Sequence, residues 1–222
     1  VTAADVVMLG KVSEKVLSGA SLAGQIQYIM VLFLFGLTSG ATVLTAQYWG
    51  KGDKTAIEKI LALGIRSAVI ITAIFTIAAF TIPASLMRIF TNDPQVIAEG
   101  VKYLRIVACS YIIMGITNVY LYVMRSIERV IVATVVYLVS FLCNVVFNAI
   151  FIFGLFGFPA LGIRGAAIAT LIARIMELVL VCGYAKIYNK DVKFRVHYFF
   201  HQDKLLVRDF LVYSLPVVLN EV

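Results

Sequence analysis

The sequence has 222 residues, of which 62% are hydrophobic and 14% are charged, and its net charge is +7. A soluble domain carries about 25% charged residues. No water-soluble core of this length could cover so much apolar surface, so a soluble protein is excluded. The positive charge does not indicate nucleic-acid binding, because basic residues of a membrane protein collect on its cytoplasmic side. We therefore predict an all-α integral membrane protein, built as a multipass helical bundle.

Five apolar stretches are each long enough to cross a bilayer as a helix, which takes about 20 residues. They cover residues 21–49, 60–87, 97–124, 130–157 and 165–187. Shorter apolar segments stand at both ends of the chain, where residues 1–9 form half a span and residues 209–222 start another. We expect these half-spans to be parts of a larger protein.

The distribution of Lys and Arg predicts which loops are cytoplasmic. Eleven of these residues lie in the loops near 51–59, 125–129 and 186–208, whereas five lie in the loops of the opposite side. Because positive charge collects on the cytoplasmic side, we assign the first set of loops to the cytoplasm. Residues 188–208 are basic and aromatic, and we predict that they form a cytoplasmic linker lying on anionic lipid.

Glycine motifs in the first full span predict packing and not nucleotide binding. Gly36 and Gly40 have the GxxxG spacing that lets two membrane helices approach closely. The glycines at positions 50 and 52 lack the spacing of a phosphate-binding loop. Any transport by this chain must therefore be driven by something other than its own ATP hydrolysis.

The cysteines and histidines do not form a metal or redox motif. Three widely spaced cysteines in apolar segments predict unpaired buried thiols, and they are Cys109, Cys143 and Cys182. His197 and His201 are four residues apart, but Asp203 is the one further ligand nearby. We interpret the two histidines as part of a solvated interfacial face.

Polar side chains interrupt three apolar segments at a similar depth. Asn144 and Asn148 share one helix face, Thr170 follows in the next span, and Asp5 lies in the first half-span. Counting the helical rise from the outer turns places all four in the outer half of the bilayer. Their oxygen atoms are hard ligands suited to Na⁺ or, at the carboxylate, to a proton. The alternative is that the amides and the hydroxyl only join helices, which leaves Asp5 unexplained.

Two further charged residues lie in the middle of the last full span. Arg174 and Glu177 are three residues apart on one helix face, so they could pair within the helix. We interpret them as an intramembrane ion pair. The alternative is a gating contact with another helix.

Four stretches together resemble the multidrug and toxic compound extrusion (MATE) transporters. They are residues 5–10 (DVVMLG), 36–53 (GLTSGATVLTAQYWGKGD), 144–154 (NVVFNAIFIFG) and 162–174 (GIRGAAIATLIAR). The resemblance implies twelve transmembrane helices in two six-helix lobes, which alternate access across a central cleft. It also implies that residues 1–187 are the N-terminal lobe with helix 1 truncated, that 188–208 link the lobes, and that 209–222 start helix 7.

The resemblance also assigns a cation site to the first lobe. The helix 1 aspartate of the family falls on Asp5, its first helix 5 asparagine on Asn144, and its helix 6 threonine on Thr170. The second helix 5 position is often aspartate but is Asn148 here, as in some members of the family. The sequence therefore leaves Na⁺ and H⁺ coupling both open. Candidate walls of a substrate pocket are the cleft-facing side chains of Tyr28, Met30 and Tyr137.

From these features we predict a secondary antiporter, not an enzyme, in the plasma or inner membrane. It would export organic cations or drugs in exchange for Na⁺ or H⁺, with no other cofactor or metal and no nucleic-acid partner. Its expected partners are the organic cations, the lipid bilayer and the C-terminal lobe of the same protein.

The main alternative within the same superfamily is a flippase of a lipid-linked saccharide or cell-wall precursor. Such a flippase is expected to have a strongly basic central cleft, whereas only Arg174 lies mid-span here. A membrane enzyme would need paired acids, histidines or a nucleophile and base near one interface, which the loops do not offer. A channel or scaffold would show no coupling to an opposing gradient.

Overall fold

The computed structural model describes residues 3–189, 191–200 and 203–221, and for residues 3, 4 and 221 only the backbone. His201 of the predicted histidine pair lies outside the described residues. The chain forms ten α-helices in these ranges, with a 3₁₀ turn at Leu155–Gly157. The helices are α1 (Ala3–Gly10), α2 (Glu14–Gly50), α3 (Lys54–Thr81), α4 (Pro83–Arg88), α5 (Pro94–Ala108), α6 (Tyr111–Ser126), α7 (Val130–Phe153), α8 (Ile163–Ile187), α9 (Val196–Phe200) and α10 (Lys204–Glu221).

The helices confirm the predicted multipass membrane architecture. Within the described ranges, α2, α3, α7 and α8 are each long and apolar enough to cross a membrane. Helices α5 and α6 together make a fifth span that is bent by 52°. No strand occurs in the part of the chain that the structure describes.

The predicted continuous helix over residues 97–124 is instead broken at Cys109 and Ser110. Hydroxyl groups supply donors for the carbonyl groups at this bend: Ser110 donates to the Val107 oxygen at 2.7 Å, and Thr76 donates to the Ala108 oxygen at 3.3 Å. Inside a membrane, backbone groups freed by a break must find partners within the protein. Hydropathy alone does not detect such a break, because the sequence stays apolar across it.

Several predicted helix ends also shift for local chemical reasons. The predicted span 60–87 is divided before Pro83, because proline has no N–H to continue the helix. Helix α7 ends at Phe153, before the predicted end at residue 157, since Gly154 adopts a left-handed conformation with φ 72°. Helix α10 begins at Lys204, before the predicted residue 209, and the Asp203 carboxylate accepts from Leu205 N at 3.0 Å.

The cysteines are unpaired, as predicted, but they are not all buried. Cys109 and Cys182 are exposed, and Cys143 is half-buried. A helix in a membrane can turn an apolar side chain outward to lipid, so an apolar segment does not require a buried thiol.

The chain forms two compact units, and each long helix contributes separate segments to them. The first unit comprises the described residues up to Tyr28, together with Ala73–Ile113 and Leu138–Met176. The second unit comprises Ile29–Thr72, Met114–Tyr137 and the described residues from Glu177 onward.

In the second unit, the start of the predicted linker 188–208 is held by side chains of the helical bundle. The buried Glu58 carboxylate of α3 accepts from Lys193 N at 3.0 Å and from Arg195 Nε at 2.8 Å. Asp191 pairs with Lys54 at 2.9 Å and with Arg129 at 3.0 Å. Residues 191–195 are therefore fixed to the protein by contacts that the sequence did not predict. The contact of residues 188–208 with lipid stays a prediction.

The two cations beside Asp191 hold the pKa of its carboxyl below the usual range through hydrogen bonds from Lys54 and Arg129. A lowered pKa means that this pairing contributes its full stability above the usual pKa of aspartate, about 3.9. The contribution is lost as the pH falls through the lowered pKa. The attachment of Asp191 is thus fully formed at neutral pH.

We expect Glu58→Ala to release this part of the linker. The substitution removes the acceptor of the Lys193 amide, and a hydrogen bond to a charged group contributes about 1.5–3 kcal/mol. Hydrogen exchange at the Lys193 amide should accelerate about tenfold or more. Lys102→Ala is the control, because it breaks an i,i+3 pair with Glu99 in the first unit. Unchanged exchange at Lys193 in Glu58→Ala would show that Glu58 does not hold the linker.

Candidate cation site

The turn between α7 and α8 positions the polar side chains of the first unit. Gly154 ends α7, and Leu161 N returns to donate to the Phe151 oxygen at 2.9 Å. The backbones then meet so closely that a Cβ on Gly165 would lie 2.6 Å from the Phe151 carbonyl carbon. This contact sets the separation of the two helices, so the side chains of one can reach those of the other.

The structure brings all four predicted oxygen-bearing residues into one hydrogen-bonded cluster. Asn148 Nδ2 donates to Asp5 Oδ1 and, at 3.1 Å, to Asn144 Oδ1. Asn144 Nδ2 in turn donates to Thr170 Oγ1 at 3.4 Å. The cluster therefore joins α1, α7 and α8.

The cluster is withdrawn from solvent. Asp5 is 1% exposed, Asn148 is 0% exposed and Asn144 is 4% exposed, while Thr170 is half-buried. A carboxylate in such a place is costly unless a cation, a proton or hydrogen-bond donors compensate for it. The burial explains why the site needs the Asn148 amide, which donates to Asp5.

One oxygen atom of the cluster has an unused lone pair. Asn148 Oδ1 is buried and has no hydrogen-bond partner among the described residues. Leaving a buried carbonyl oxygen unsatisfied costs about 1–3 kcal/mol. A Na⁺ ion would use this oxygen as a ligand. If the amide group turned over, a protonated Asp5 could instead donate to it.

Tyr103 of α5 is a candidate residue of this site that the sequence reasoning missed. Its side chain is 1% exposed, and its hydroxyl interacts electrostatically with Asp5 and Thr170. The hydroxyl forms no hydrogen bond of ordinary geometry with any described residue. A tyrosine in an apolar span is easily taken for a packing residue. The available signal was its hydroxyl group, which needs a partner when it is buried.

We expect Tyr103→Phe to preserve the fold and to weaken cation binding. Because the buried hydroxyl makes no hydrogen bond of ordinary geometry, removing it should leave the thermal unfolding temperature without Na⁺ unchanged or slightly higher. The increase in unfolding temperature on adding Na⁺ should become smaller, because one oxygen ligand is lost. Unfolding in detergent, with Na⁺ or with choline as the control ion, measures both effects. A full Na⁺ response in the variant would place Tyr103 outside the site.

The three residues predicted to line a substrate pocket lie in different surroundings in the structure. Tyr28 is 58% exposed, whereas Met30 has no exposed surface and packs in the core of the second unit. Met30 therefore does not face an open pocket in this structure. Tyr137 donates to Asn118 Oδ1 at 3.2 Å. The substrate pocket stays a prediction.

The two charged residues predicted as an ion pair lie in the middle of α8. Glu177 is fully buried and accepts a hydrogen bond from Thr117 of α6. Arg174 is half-buried. The pairing of Arg174 with Glu177 stays a prediction, and Thr117 is a partner that sequence spacing could not show.

The sequence is similar to known membrane transporters. The family model MatE matches residues 1–150. A probable multidrug resistance protein NorM of Thermotoga maritima is 29% identical over 176 residues, 77% of this chain and 37% of that protein. A protein of the same name from Bacillus licheniformis is 33% identical over 178 residues, 78% of this chain and 38% of that protein.

The fold is also similar to solved structures. A crystal structure of MATE in the bent conformation has a TM-score of 0.88 at 21% identity, covering 98% of this chain and 48% of that one. A MOP superfamily transporter from Pyrococcus furiosus has a TM-score of 0.87 at 20% identity, covering 98% and 47%. This chain spans less than half the length of each of these proteins.

Proposed function

Because this chain belongs to the MatE family, whose model matches residues 1–150, we propose that it forms the first lobe of a secondary antiporter. The whole protein exports organic cations or drugs in exchange for Na⁺ or H⁺. A second six-helix lobe completes it, and α10 is the start of helix 7. The protein lies in the plasma or inner membrane, with the loops near 51–59, 125–129 and 186–208 in the cytoplasm.

The observation that carries this proposal is the buried Asp5 cluster with its unused Asn148 oxygen. In a purely structural polar contact between helices, every acceptor is expected to have a donor, whereas Asn148 Oδ1 has none among the described residues. The cluster also combines one carboxylate with amide and hydroxyl oxygens, which suits a single monovalent cation. Coupling requires such a site, because the cation must be bound from one side and released on the other.

Occupancy of the site changes what Asp5 needs from its neighbours. When Na⁺ or a proton is bound, the negative charge of Asp5 is compensated and the Asn148 amide is free to reorient. When the site is empty, Asp5 accepts the hydrogen bond from Asn148. Because Asp5 lies on the short helix α1 while Asn148 lies on α7, the two states favour different packing of α1. This difference couples cation binding to the movement that exposes or closes the drug pocket.

Efflux from vesicles tests the proposal. The full-length protein is reconstituted into vesicles that contain a fluorescent organic cation, and a Na⁺ gradient or a pH gradient is imposed separately. We expect efflux to follow one of the two gradients and to stop when an ionophore collapses it. If neither gradient drives efflux, the antiporter proposal is wrong. In that case the flippase of a lipid-linked precursor becomes the favoured function for this fold.

A further inference from the structure

An apolar groove lies on the second unit, between the first part of α7 and the last part of α8. Its volume is about 510 Å³, within the range of about 300–1,000 Å³ that is usual for ligand sites. The side chains that line it include Ile131, Val135, Val179, Tyr184, Ile187 and Tyr188. Each of the four aliphatic side chains is at least half exposed. The groove is therefore open for an apolar ligand to enter.

The walls of the groove suit a hydrocarbon chain. Helices α7 and α8 are both long and apolar enough to cross a membrane, so the groove lies against the lipid. Lipid covers any apolar side chain that a membrane helix exposes. A groove contacts a lipid chain on two sides, whereas a convex helix face contacts it on one, so the groove gains more van der Waals contact. A chain in the groove is therefore held more tightly than a chain beside a single helix.

One end of the groove lies at the end of the membrane spans. Helix α7 begins at Val130, and α8 ends at Ile187. Tyr184 and Tyr188 stack here, with their ring centroids 6.2 Å apart and an angle of 17° between the rings. Tyrosine is enriched at the level of lipid headgroups, where its ring meets hydrocarbon and its hydroxyl meets water. A lipid with its chain in the groove would place its headgroup at this end.

Two cations stand beside this end of the groove. Arg129 directly precedes α7, and Asp191 follows Tyr188 by three residues, so both walls lead to the cluster of Lys54, Arg129 and Asp191. One carboxylate meets two cations in this cluster, which leaves it positive. Arg129 donates to Asp191 through Nη2, which uses one of the five N–H groups of a guanidinium. The side chains of Arg129 and Lys54 are 54% and 52% exposed, so both can donate to a second anion.

The charges around this cluster add to its positive charge. Lys186 is exposed in the last turn of α8. The turn between α6 and α7 contains the exposed residues Arg125 and Glu128, whose charges cancel. Basic pockets between membrane helices on the cytoplasmic side bind the headgroups of anionic lipids. The positive charge complements a lipid phosphate that has no ammonium group of its own.

We propose that this groove binds one anionic phospholipid. An acyl chain lies between α7 and α8, and the headgroup phosphate accepts hydrogen bonds from Arg129 and Lys54. The lipid belongs to the leaflet predicted to be cytoplasmic. This inference goes beyond the proposed function, because it depends on insertion in a membrane and not on ion-driven transport.

Lipid binding measured by native mass spectrometry tests this inference. The full-length protein in detergent is titrated with dioleoyl phosphatidylglycerol and, separately, with dioleoyl phosphatidylcholine, which has the same chains and a zwitterionic headgroup. We expect one phosphatidylglycerol to bind more tightly than phosphatidylcholine, by about fivefold or more. Arg129→Gln should weaken phosphatidylglycerol binding by about fivefold, the factor that one basic residue contributes near an anionic membrane surface. Phosphatidylcholine binding should be unchanged.

Arg164→Gln is the matched control for the headgroup, because it removes an exposed arginine at the opposite end of α8. A second variant, Val179→Phe, fills part of the groove and should weaken the binding of both lipids. Val146→Phe is its control: it makes the same change on α7 outside the groove, at a side chain that is 55% exposed where Val179 is 59% exposed. Because Arg129 and Val179 are exposed, both variants should unfold close to the wild-type temperature without added lipid.

Four results would overturn the inference. If phosphatidylcholine binds as tightly as phosphatidylglycerol, or if Arg164→Gln acts as strongly as Arg129→Gln, this cluster does not select the headgroup. If Val179→Phe binds both lipids like the wild type, the lipid lies elsewhere. A native mass of two chains that Val179→Phe reduces to one would show that a second copy of the protein covers the groove. Lipid binding is measured without an ion gradient, so failure of the efflux assay would leave this inference standing.

Discussion

Asp5→Asn is expected to abolish efflux that is driven by an ion gradient. The substitution keeps the size of the side chain but removes the one carboxylate of the cluster. A bound Na⁺ ion would then meet only neutral oxygen atoms in a site that excludes water, and an amide does not take up a proton at physiological pH. Losing the charged partner of a buried ion costs about 3–5 kcal/mol, which corresponds to a loss of cation affinity of about 100-fold or more.

The efflux assay with wild-type and Asp5→Asn protein side by side measures this effect. Asp93→Asn is the matched control, because it makes the same carboxylate-to-amide change at an exposed position. Asp93 caps α5 by accepting from Gln95 N at 2.8 Å, and asparagine caps a helix equally well. Full efflux is therefore expected for Asp93→Asn. If Asp5→Asn also transports at the wild-type rate, coupling takes place at residues other than the Asp5 cluster.

The cluster could be predicted from the sequence because polar atoms are costly in hydrocarbon. Asp5, Asn144, Asn148 and Thr170 all interrupt segments that are otherwise apolar, and helical rise alone places them at one depth. The sequence could not show their hydrogen bonds, because which oxygen is used and which is spare depends on the orientation of each amide group. For Tyr103 the one signal was its hydroxyl group, and the sequence does not show that this hydroxyl is buried near Asp5 and Thr170.

The membrane spans could also be predicted, because only apolar segments are stable in hydrocarbon. Their bends and the contacts between them could not be predicted. Hydropathy identifies the apolar segments but does not distinguish a straight helix from the bent pair α5 and α6. It also does not predict contacts between distant polar residues, such as those of Glu58 with Lys193 and Arg195. These features depend on which helices are neighbours, and that information is not contained in the periodicity of any one segment.

Gly165→Ala is expected to disrupt the cluster without touching any of its side chains. Gly165 is buried at the start of α8, and an added Cβ would meet the Phe151 carbonyl carbon at 2.6 Å. Backbone atoms cannot turn aside as a side chain can, so the start of α8 must move away from α7. Overpacking of this kind costs about 1–3 kcal/mol. The hydrogen bond from Asn144 to Thr170 is already 3.4 Å long, so a small displacement breaks it.

Gly183→Ala is the control on the same helix. It makes the same glycine-to-alanine change, with the same gain in helix propensity, but without the steric clash expected at Gly165. Nothing lies within 4 Å of a Cβ added at Gly183, so alanine there should stabilise α8 by up to about 1 kcal/mol. We therefore expect opposite shifts in unfolding temperature: lower for Gly165→Ala, and unchanged or higher for Gly183→Ala. Only Gly165→Ala should also reduce the stabilisation by the coupling ion. If Gly165→Ala keeps the full ion response, the separation of α7 and α8 is not what holds Asn144 and Thr170 in binding geometry.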